Sequence, residues 1–488
     1  MRSAWRVASV RAAEAALMAT LPPGALMQRA AAAVARRCAE VLDDRYGSEY
    51  GRAVLLLVGP GNNGGDALFA GEALARSGVS VCAVLLNPER THAEGLAALT
   101  RAGGRTVDTP PSMVDMVVDG ILGIGGRGGL REDATSLVTQ AMQARGSDGE
   151  RPTVVAVDLP SGIDPDTGAV PGAAVRADIT VTFGALKPGV LVGEGAVHSG
   201  LVELIDIGLG PWLRDEPALW VPDLEDVAAW WPQPRPGDDK YTRGVVGVAT
   251  GSATYPGAAL LSTAGALPGP AGMVRYAGAG FEAVRNRYPS VIPTACVADA
   301  GRVQAWTCGS GLGTDERAAG ELRAVLAAEV PVCVDADGLT LLAEWGVDAL
   351  RERPAATVLT PHDREFARLA GEEPGADRVT ATLRLAARTG AVVLLKGDRT
   401  IIGTPDGRAY VNLTGTPALA TAGTGDVLAG LLGSLLAAGL PADRATIAAA
   451  YAHGLAGRYA AESGPVTSVD VADALRPTLA RAGMWRMP

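Results

Sequence analysis

Short apolar runs recur along this chain, each followed by a polar or glycine-rich turn and then by residues whose apolar positions return every third or fourth place. Ala53–Val58 (AVLLLV) leads into Gly59–Asp66, then a helical pattern over Ala67–Arg76 that closes at Gly78, and Val79–Leu86 is the next run. Val114–Val118, Thr153–Val157, Gly244–Thr250, Trp306–Cys308, Val332–Val334, Val358–Leu359 and Val392–Leu395 repeat that grammar. Runs without alternation suit strands buried on both faces, so the pattern predicts mainly parallel sheets with their loops on one edge. Residues 3–46 read as a helix pair broken at Leu21-Pro22-Pro23-Gly24, and Val427, Leu428, Leu431, Leu432, Leu435 and Leu436 share one face of a late helix expected to start at Val427. The rhythm stops over Ile207–Lys240, which is rich in Pro and holds four of the eight Trp. The expected organisation is α/β in two domains, 1–210 and 241–488, joined by a linker over 211–240 whose tryptophans pack on a surface.

Composition narrows the class. At 488 residues, 48% hydrophobic and 20% charged, the chain is globular and has room for well-buried cores. A formal net charge of −10 argues against general nucleic-acid binding. Five Cys without a C-x-x-C pair, and only four His, leave no plausible zinc cluster and fit a reducing, cytoplasmic setting. No apolar run reaches membrane-spanning length, and the N-terminal residues read as a helix pair instead of a cleaved signal.

In the first half, Gly59-Pro60-Gly61-Asn62-Asn63-Gly64-Gly65-Asp66 satisfies G-x-G-x-x-G between a strand and a helix but lacks the Lys-Ser/Thr of a Walker loop. Two Asn and an Asp inside it supply side-chain oxygens that a plain phosphate turn does not need. Asp119 and Asp158 each stand at the C-terminal end of a predicted strand, where open parallel sheets bind ligands. Asn63, Asp119, Asp158 and Ser161 could therefore converge, and an oxygen-only set with few charges fits a monovalent or hard cation. Taken singly, each acid is equally a turn former or helix cap. The stretches VGPGNNGGDALFAGEAL, DGILGIGGRGG and VDLPSGIDPDTG resemble the NAD(P)H-hydrate epimerase family, a Rossmann-like three-layer α/β/α domain covering about residues 1–210. That resemblance implies that Asn62, Asn63, Gly64, Gly65, Asp66, Gly123, Ile124, Gly125, Gly126, Arg127, Gly128, Gly129 and Asp158 hold a hydrated nicotinamide dinucleotide. It implies a potassium ion on Asn63, Asp119 and Ser161, and makes Asp158 the candidate acid/base for inverting C6 of the ring.

The second half turns on Ala422-Gly423-Thr424-Gly425-Asp426, small residues running into a helix start. Backbone N–H groups of such a turn can point into one concavity and hold a phosphate, with Asp426 placed to take a proton from an attacking hydroxyl. The bland alternative is a tight turn with Asp426 as its cap. TGSATYPGAALL, GSGLG, VDADGL, TPHDREFARL, LLKGDRTII and ATAGTGDVLAG, in that order, are similar to the nucleotide-dependent NAD(P)H-hydrate dehydratases, ribokinase-like α/β domains, over about residues 235–486. By that resemblance Ala258, Gly311, His362 and Asp426 contact the hydrated dinucleotide, with Asp426 as catalytic base, while Lys396, Gly397, Asp398, Arg399, Thr400 and Gly425 contact the adenine nucleotide. Asp363-Arg364 stands where that family usually has a small pair with Gly, Ala422 where Gly is usual, and Leu267-Pro268-Gly269-Pro270 interrupts a segment normally helical. The fused order looks bacterial, so ADP is the expected co-substrate, with Mg2+, and NADHX and NADPHX the expected small-molecule partners of a homo-oligomer. A ribokinase-like small-molecule kinase fused to a non-catalytic Rossmann-like binding module is the alternative.

Overall fold

A computed structural model describes every residue except Arg127, Met487 and Pro488, so the contact expected of Arg127 lies outside the described residues. The chain divides into two compact units, Ser3–Ala218 and Leu219–Pro488 together with Met1–Arg2.

In the first unit seven strands lie in the order Arg105–Thr106, Ser80–Leu85, Ala53–Val58, Met116–Gly120, Thr153–Val157, Ile179–Phe183 and Leu201–Ile205. All neighbouring pairs are parallel. Alternate residues of one strand divide between two cores: Val54, Leu56 and Val58 pack with the helices Val7–Met18, Ala25–Tyr46 and Asn62–Arg76, while Leu55 and Leu57 pack with Glu132–Gln143. That division makes a three-layer α/β/α unit, because successive side chains of a strand point to opposite faces.

Two local expectations are corrected. The helix expected from Ala67 begins at Asn62, so Asn62, Asn63, Gly64, Gly65 and Asp66 form its opening turns and not a free loop. Gly64 permits this: a Cβ there would sit 2.2 Å from the carbonyl oxygen of Gly59, so only glycine lets the helix start against the turn leaving the strand. Asp119 lies inside its strand, Met116–Gly120, instead of beyond it.

The second unit's sheet runs Leu219–Val221, Ala409–Asn412, Thr400–Gly403, Val392–Leu395, Thr357–Leu359, Val332–Val334, Ala305–Cys308, Val245–Ala249, Met273–Ala277 and Ile292–Thr294. It is parallel except at Thr400–Gly403, which is antiparallel to both neighbours. Lys396–Arg399 is thus a hairpin turn, where a strand-to-helix turn was expected; β-branched Thr400, Ile401 and Ile402 extend the chain into a strand. The stretch 211–240, expected as a linker, contains the strand Leu219–Val221 and the helix Leu224–Trp230, capped reciprocally by Asp223 and Asp226. Trp231 is buried in the second unit's core, with Trp220 and Trp230 packed against that core.

The late helix spans Thr424–Ala437 and starts three residues earlier than expected, with Gly423 at φ +89° as its cap. A left-handed cap lets Thr424 and Gly425 enter helical geometry at once. Nearly every residue of this helix is buried, which suits an element apolar all round at the centre of a core. The break at Leu267–Pro270 has a simple correlate: the helix Pro256–Ala266 ends there, and Ser434 Oγ accepts the Ala271 N–H at 3.2 Å.

Candidate active sites

In the first unit, the strand ends carry a set of buried polar groups. Asp119 is fully buried; its Oδ1 accepts the Ser161 hydroxyl at 2.7 Å and the Ile121 N–H at 3.2 Å, and its Oδ2 accepts the Ser161 N–H at 2.8 Å. Burial pushes its carboxyl up to about 6, against the pull of those hydrogen bonds. The Ser161 hydroxyl also accepts the Leu122 N–H at 2.8 Å. Asn63 sits across from them: its Oδ1 would lie 3.1 Å from a side chain at Gly123, and its buried Nδ2 has no partner among the described residues. Asp119 and Ser161 are thus bonded to each other, and Asn63 borders the same Gly120–Gly123 turn.

Asp158 follows the strand Thr153–Val157 at φ +66°, an uncommon conformation for a residue with a side chain. Its Oδ1 accepts from Lys187 Nζ at 2.6 Å, from Thr182 Oγ1 at 3.1 Å and from the Phe183 N–H at 3.4 Å. Lys187 is 1% exposed and also donates to Thr182 Oγ1 and the Phe183 carbonyl. Asp66 faces the same space; burial, then the charges of Asp158 and Glu14, push its carboxyl well above the usual range. Glu14 is itself raised, by burial first, with Lys187 opposing and Asp158 adding. Arg11, one turn earlier on that helix, donates to the Ile124 carbonyl at 3.3 Å and so reaches the loop of Gly123, Ile124, Gly125 and Gly126. Gly65 faces Met27 and His92 in the helix packing, and Gly129 lies against Gly172; both shape the backbone around the site.

The second unit gathers its candidates around a buried carboxylate. Asp335, 2% exposed, accepts Lys396 Nζ at 2.7 Å and Thr360 Oγ1 at 2.8 Å on one oxygen, and Ser310 Oγ at 3.0 Å on the other. Lys396 Nζ also lies 3.6 Å from Glu365. Burial opposes its charge, but Asp335 and Glu365 together raise the ammonium's pKa. A side chain at Gly425 would begin 3.6 Å from Lys396 Nζ and 3.9 Å from Asp335, so both groups face the opening turn of the helix Thr424–Ala437. Asp426, in that turn, is pushed up to about 7 by burial and then by Asp335, with Lys396 and Ser310 pulling the other way and Asp337 adding a little.

His362 caps the helix Asp363–Ala370: its Nδ1 accepts the Arg364 N–H at 3.1 Å, while Glu365 accepts the His362 N–H at 2.9 Å. The ring's other nitrogen, Nε2, lies 3.4 Å from Glu365 Oε1, so Glu365 holds the imidazole from both its backbone and its side chain. Gly311, at φ +60°, meets Ala258 so closely that a Cβ would lie 2.6 Å from the alanine methyl. Thr400 closes the hairpin turn by donating to the Gly397 carbonyl at 3.0 Å. Arg399 turns towards the Leu413 carbonyl, 3.4 Å away, and Asp398 packs its carbonyl against Gly415, so these two brace the turn.

With this geometry in hand, likeness to known proteins decides the family. The family described as YjeF-related protein N-terminus matches residues 23–189, and the one described as NAD(P)H-hydrate dehydratase matches residues 246–477. The bifunctional NAD(P)H-hydrate repair enzyme of Mycobacterium tuberculosis H37Rv is 51% identical over 445 residues, 91% of this chain and 91% of that protein. The chain belongs to this family. The Mycobacterium leprae member is 50% identical over 466 residues, 95% of this chain and 96% of that protein. Among solved structures, the ADP/ATP-dependent NAD(P)H-hydrate dehydratase of Bacillus subtilis, co-crystallised with ATP and Mg2+, is 27% identical at a TM-score of 0.50 and covers 54% of this chain and 99% of its own. A ribokinase-like superfamily protein of Enterococcus faecalis V583, 24% identical at a TM-score of 0.50, shares the fold of the second unit.

Sequence reasoning missed several side chains that line these candidate sites. Lys187 had a usable signal, a Lys in Gly184-Ala185-Leu186-Lys187 directly after the strand Ile179–Phe183. Arg11 and Glu14, three apart on one helix, share a face. Asp335, which the sequence alone allows as a plain turn residue, pairs with Lys396 at 2.7 Å.

Proposed function

We propose that the first unit interconverts the R and S forms of NAD(P)HX and that the second dehydrates (S)-NAD(P)HX to NAD(P)H at the expense of ADP, giving AMP and phosphate. The observation that carries the second half is the meeting of Asp426, Gly425 and Lys396 at one helix start. Asp426 takes the proton of the C6 hydroxyl as that oxygen attacks the terminal phosphorus of ADP and the bond to AMP breaks. The N–H groups of Gly423, Thr424 and Gly425 hold the transferred phosphoryl group, and Lys396 offsets its charge. The C6–O bond then breaks with phosphate leaving, driven by the ring nitrogen's lone pair, and loss of a C5 proton restores NAD(P)H.

In the first unit Asp158, ion-paired to Lys187, and Asp66, whose carboxyl is pushed well above the usual range by burial and then by the charges of Asp158 and Glu14, are two carboxyls in unlike settings. That is what moving a proton onto and off one hydroxyl requires. Asn63, Asp119 and Ser161 fit a potassium ion: Asp119 is a buried carboxylate with no ammonium or guanidinium bonded to it among the described residues, and Asn63 Oδ1, beside Gly123, accepts no hydrogen bond among them. Such an ion would neutralise Asp119 and fix the Gly120–Leu122 turn. Among the described residues no cluster of three or more His, Cys, Asp or Glu forms a ready-made metal cage, which suits Mg2+ brought in on the nucleotide's phosphates. We place the enzyme in the cytoplasm, as its five free cysteines suit, and as a homo-oligomer. No helix among the described residues is long and apolar enough to cross a membrane.

The test incubates mixed NADHX epimers with ADP or ATP, with and without potassium. Asp426→Asn abolishes recovery of near-UV NADH absorbance and leaves epimerisation intact. Recovery at the normal rate in that variant overturns the assignment of the base.

A further inference from the structure

Asp363, the residue that departs from the usual small pair, forms a two-pronged bridge to Arg378, with Oδ2 to Nη1 at 2.9 Å and Oδ1 to Nη2 at 2.7 Å. The same Nη2 donates to the Lys396 carbonyl at 3.3 Å, and a side chain at Gly397 would begin 3.5 Å from it. One guanidinium therefore touches three separate parts of the unit: the start of the helix Asp363–Ala370, the start of its own helix Arg378–Thr389, and the hairpin turn after Val392–Leu395. The first of these helices is capped by His362, whose partner Glu365 faces Lys396 Nζ.

We infer that the Asp363–Arg378 bridge is a positioning device that fixes the Lys396–Gly397 backbone for the nucleotide, and so sets nucleotide affinity without touching the reacting atoms. Two features argue for it. Arg378 is 17% exposed and Asp363 is 56% exposed, so the guanidinium is held in the fold while its partner anchors it from the solvent side. Fork-to-fork pairing fixes the guanidinium plane, and a fixed plane aims the third N–H at one carbonyl, which a lysine at 378 could not do. The bridge itself, half exposed, contributes little to global stability. Its consequence is local, in a turn whose other braces are the Thr400 hydroxyl and the contacts of Asp398 and Arg399.

This inference rests on the proposed reading of Lys396 and Gly397 as nucleotide-binding. The experiment measures ADP and ATP binding to the full chain by calorimetry, and steady-state kinetics with (S)-NADHX, for Asp363→Asn, Arg378→Lys and the charge-reversed double variant Asp363→Arg/Arg378→Asp. Lys396→Met serves as a separate probe of the underlying reading. Both single variants raise KM and Kd for nucleotide about five- to tenfold, the weight of one ordinary hydrogen bond in a half-exposed setting, with kcat and the KM for the hydrate within about twofold of the parent. The reversed pair restores an ion pair but not the bond to the Lys396 carbonyl, so its nucleotide KM stays raised. Parental nucleotide affinity in both single variants overturns the inference, as does full recovery in the reversed pair. If Lys396→Met also binds nucleotide normally, the underlying reading has failed; if it loses nucleotide while Asp363→Asn and Arg378→Lys do not, only the positioning role has.

Discussion

Each unit contains a lysine–aspartate pair buried at the C-terminal ends of its sheet, and the two pairs do different work. In the first, Lys187 clamps the candidate acid/base itself: Asp158 and Lys187 are both inside, and the ammonium spends its other bonds on Thr182 and Phe183. In the second, Lys396 clamps a neighbour, Asp335, and keeps one side towards the helix start; it is 21% exposed, and the proposed base, Asp426, carries no direct bond to it among those described. A closed pair fixes a carboxylate in place and in charge. An open pair leaves a lysine free to meet an incoming anion and lets the nearby carboxylate rise towards neutrality. On the proposed reading, the first arrangement serves the inversion of a ring carbon and the second the transfer of a phosphoryl group.

The sharpest way to break this comparison is to remove each lysine. Lys187→Met leaves Asp158 charged and unpaired in the interior, so the first unit loses about 3–5 kcal/mol and epimerisation disappears. Lys396→Met strips the buried Asp335 of its ammonium but leaves it the Thr360 and Ser310 hydroxyls, and the space vacated by a 21% exposed lysine is open to water, so the melting temperature falls less while nucleotide affinity collapses. Thermal unfolding and calorimetry on both variants check this. Equal stability losses would show that the pairs are alike after all.

The second prediction concerns Asp426 and separates stability from activity. Its folded-state pKa, about 7, stands above the ordinary carboxylate value of 3.8. The folded state therefore holds this proton more tightly, and ionising the group costs stability progressively as pH rises from about 4 to 7. Asp426→Asn removes that cost, so the variant melts no lower than the parent at pH 8 although dehydration falls about 10²- to 10⁴-fold. In the parent, kcat for dehydration falls on the acid side of pH about 7 as the base becomes protonated. A flat kcat profile from pH 6 to 8, measured at saturating nucleotide, removes Asp426 as the base.

A smaller effect tests the first unit's cation site. The Asp119 carboxyl is raised to about 6 by burial, so below that pH a proton competes with any cation for it. Epimerisation should need about tenfold more potassium at pH 5 than at pH 7. A potassium requirement that does not change with pH would count against Asp119 as a ligand.

The strands were legible because unbroken Val, Leu and Ala runs leave little alternative, and both cores follow from them. Sites at the strand ends were legible in outline for the same reason: Asp158 and Asp426 sit where an open parallel sheet leaves room. What stayed hidden depends on approach between distant segments. Nothing local shows that Gly64 will press against Gly59 and pull Asn62 and Asn63 into a helix. Nor does Lys187 declare its partner, 29 residues away, until Ile179–Phe183 pairs beside Thr153–Val157. The hairpin at Lys396–Arg399 was read as a strand-to-helix turn because its β-branched second strand, Thr400–Gly403, is short and ends in glycine.

The weakest expected effect belongs to His453, buried on the helix Ala442–Ala461 with Nε2 unpartnered among the described residues. Burial lowers its pKa from 6.5 to about 4, against a hydrogen bond at the Thr424 backbone that favours the proton, with Lys396 adding to the fall. The unfolded chain binds a proton at this position between pH 6.5 and 4 that the folded chain refuses, so His453 takes stability from the second unit as pH falls through that window, opposite in sign to Asp426. His453→Gln cannot titrate, and its melting temperature should fall less than the parent's between pH 7 and pH 5. The first unit, with no such histidine at its lysine pair, should show no matching change when its melting is followed separately. Parallel losses in parent and variant would mean that His453 takes no part in the difference between the two sites.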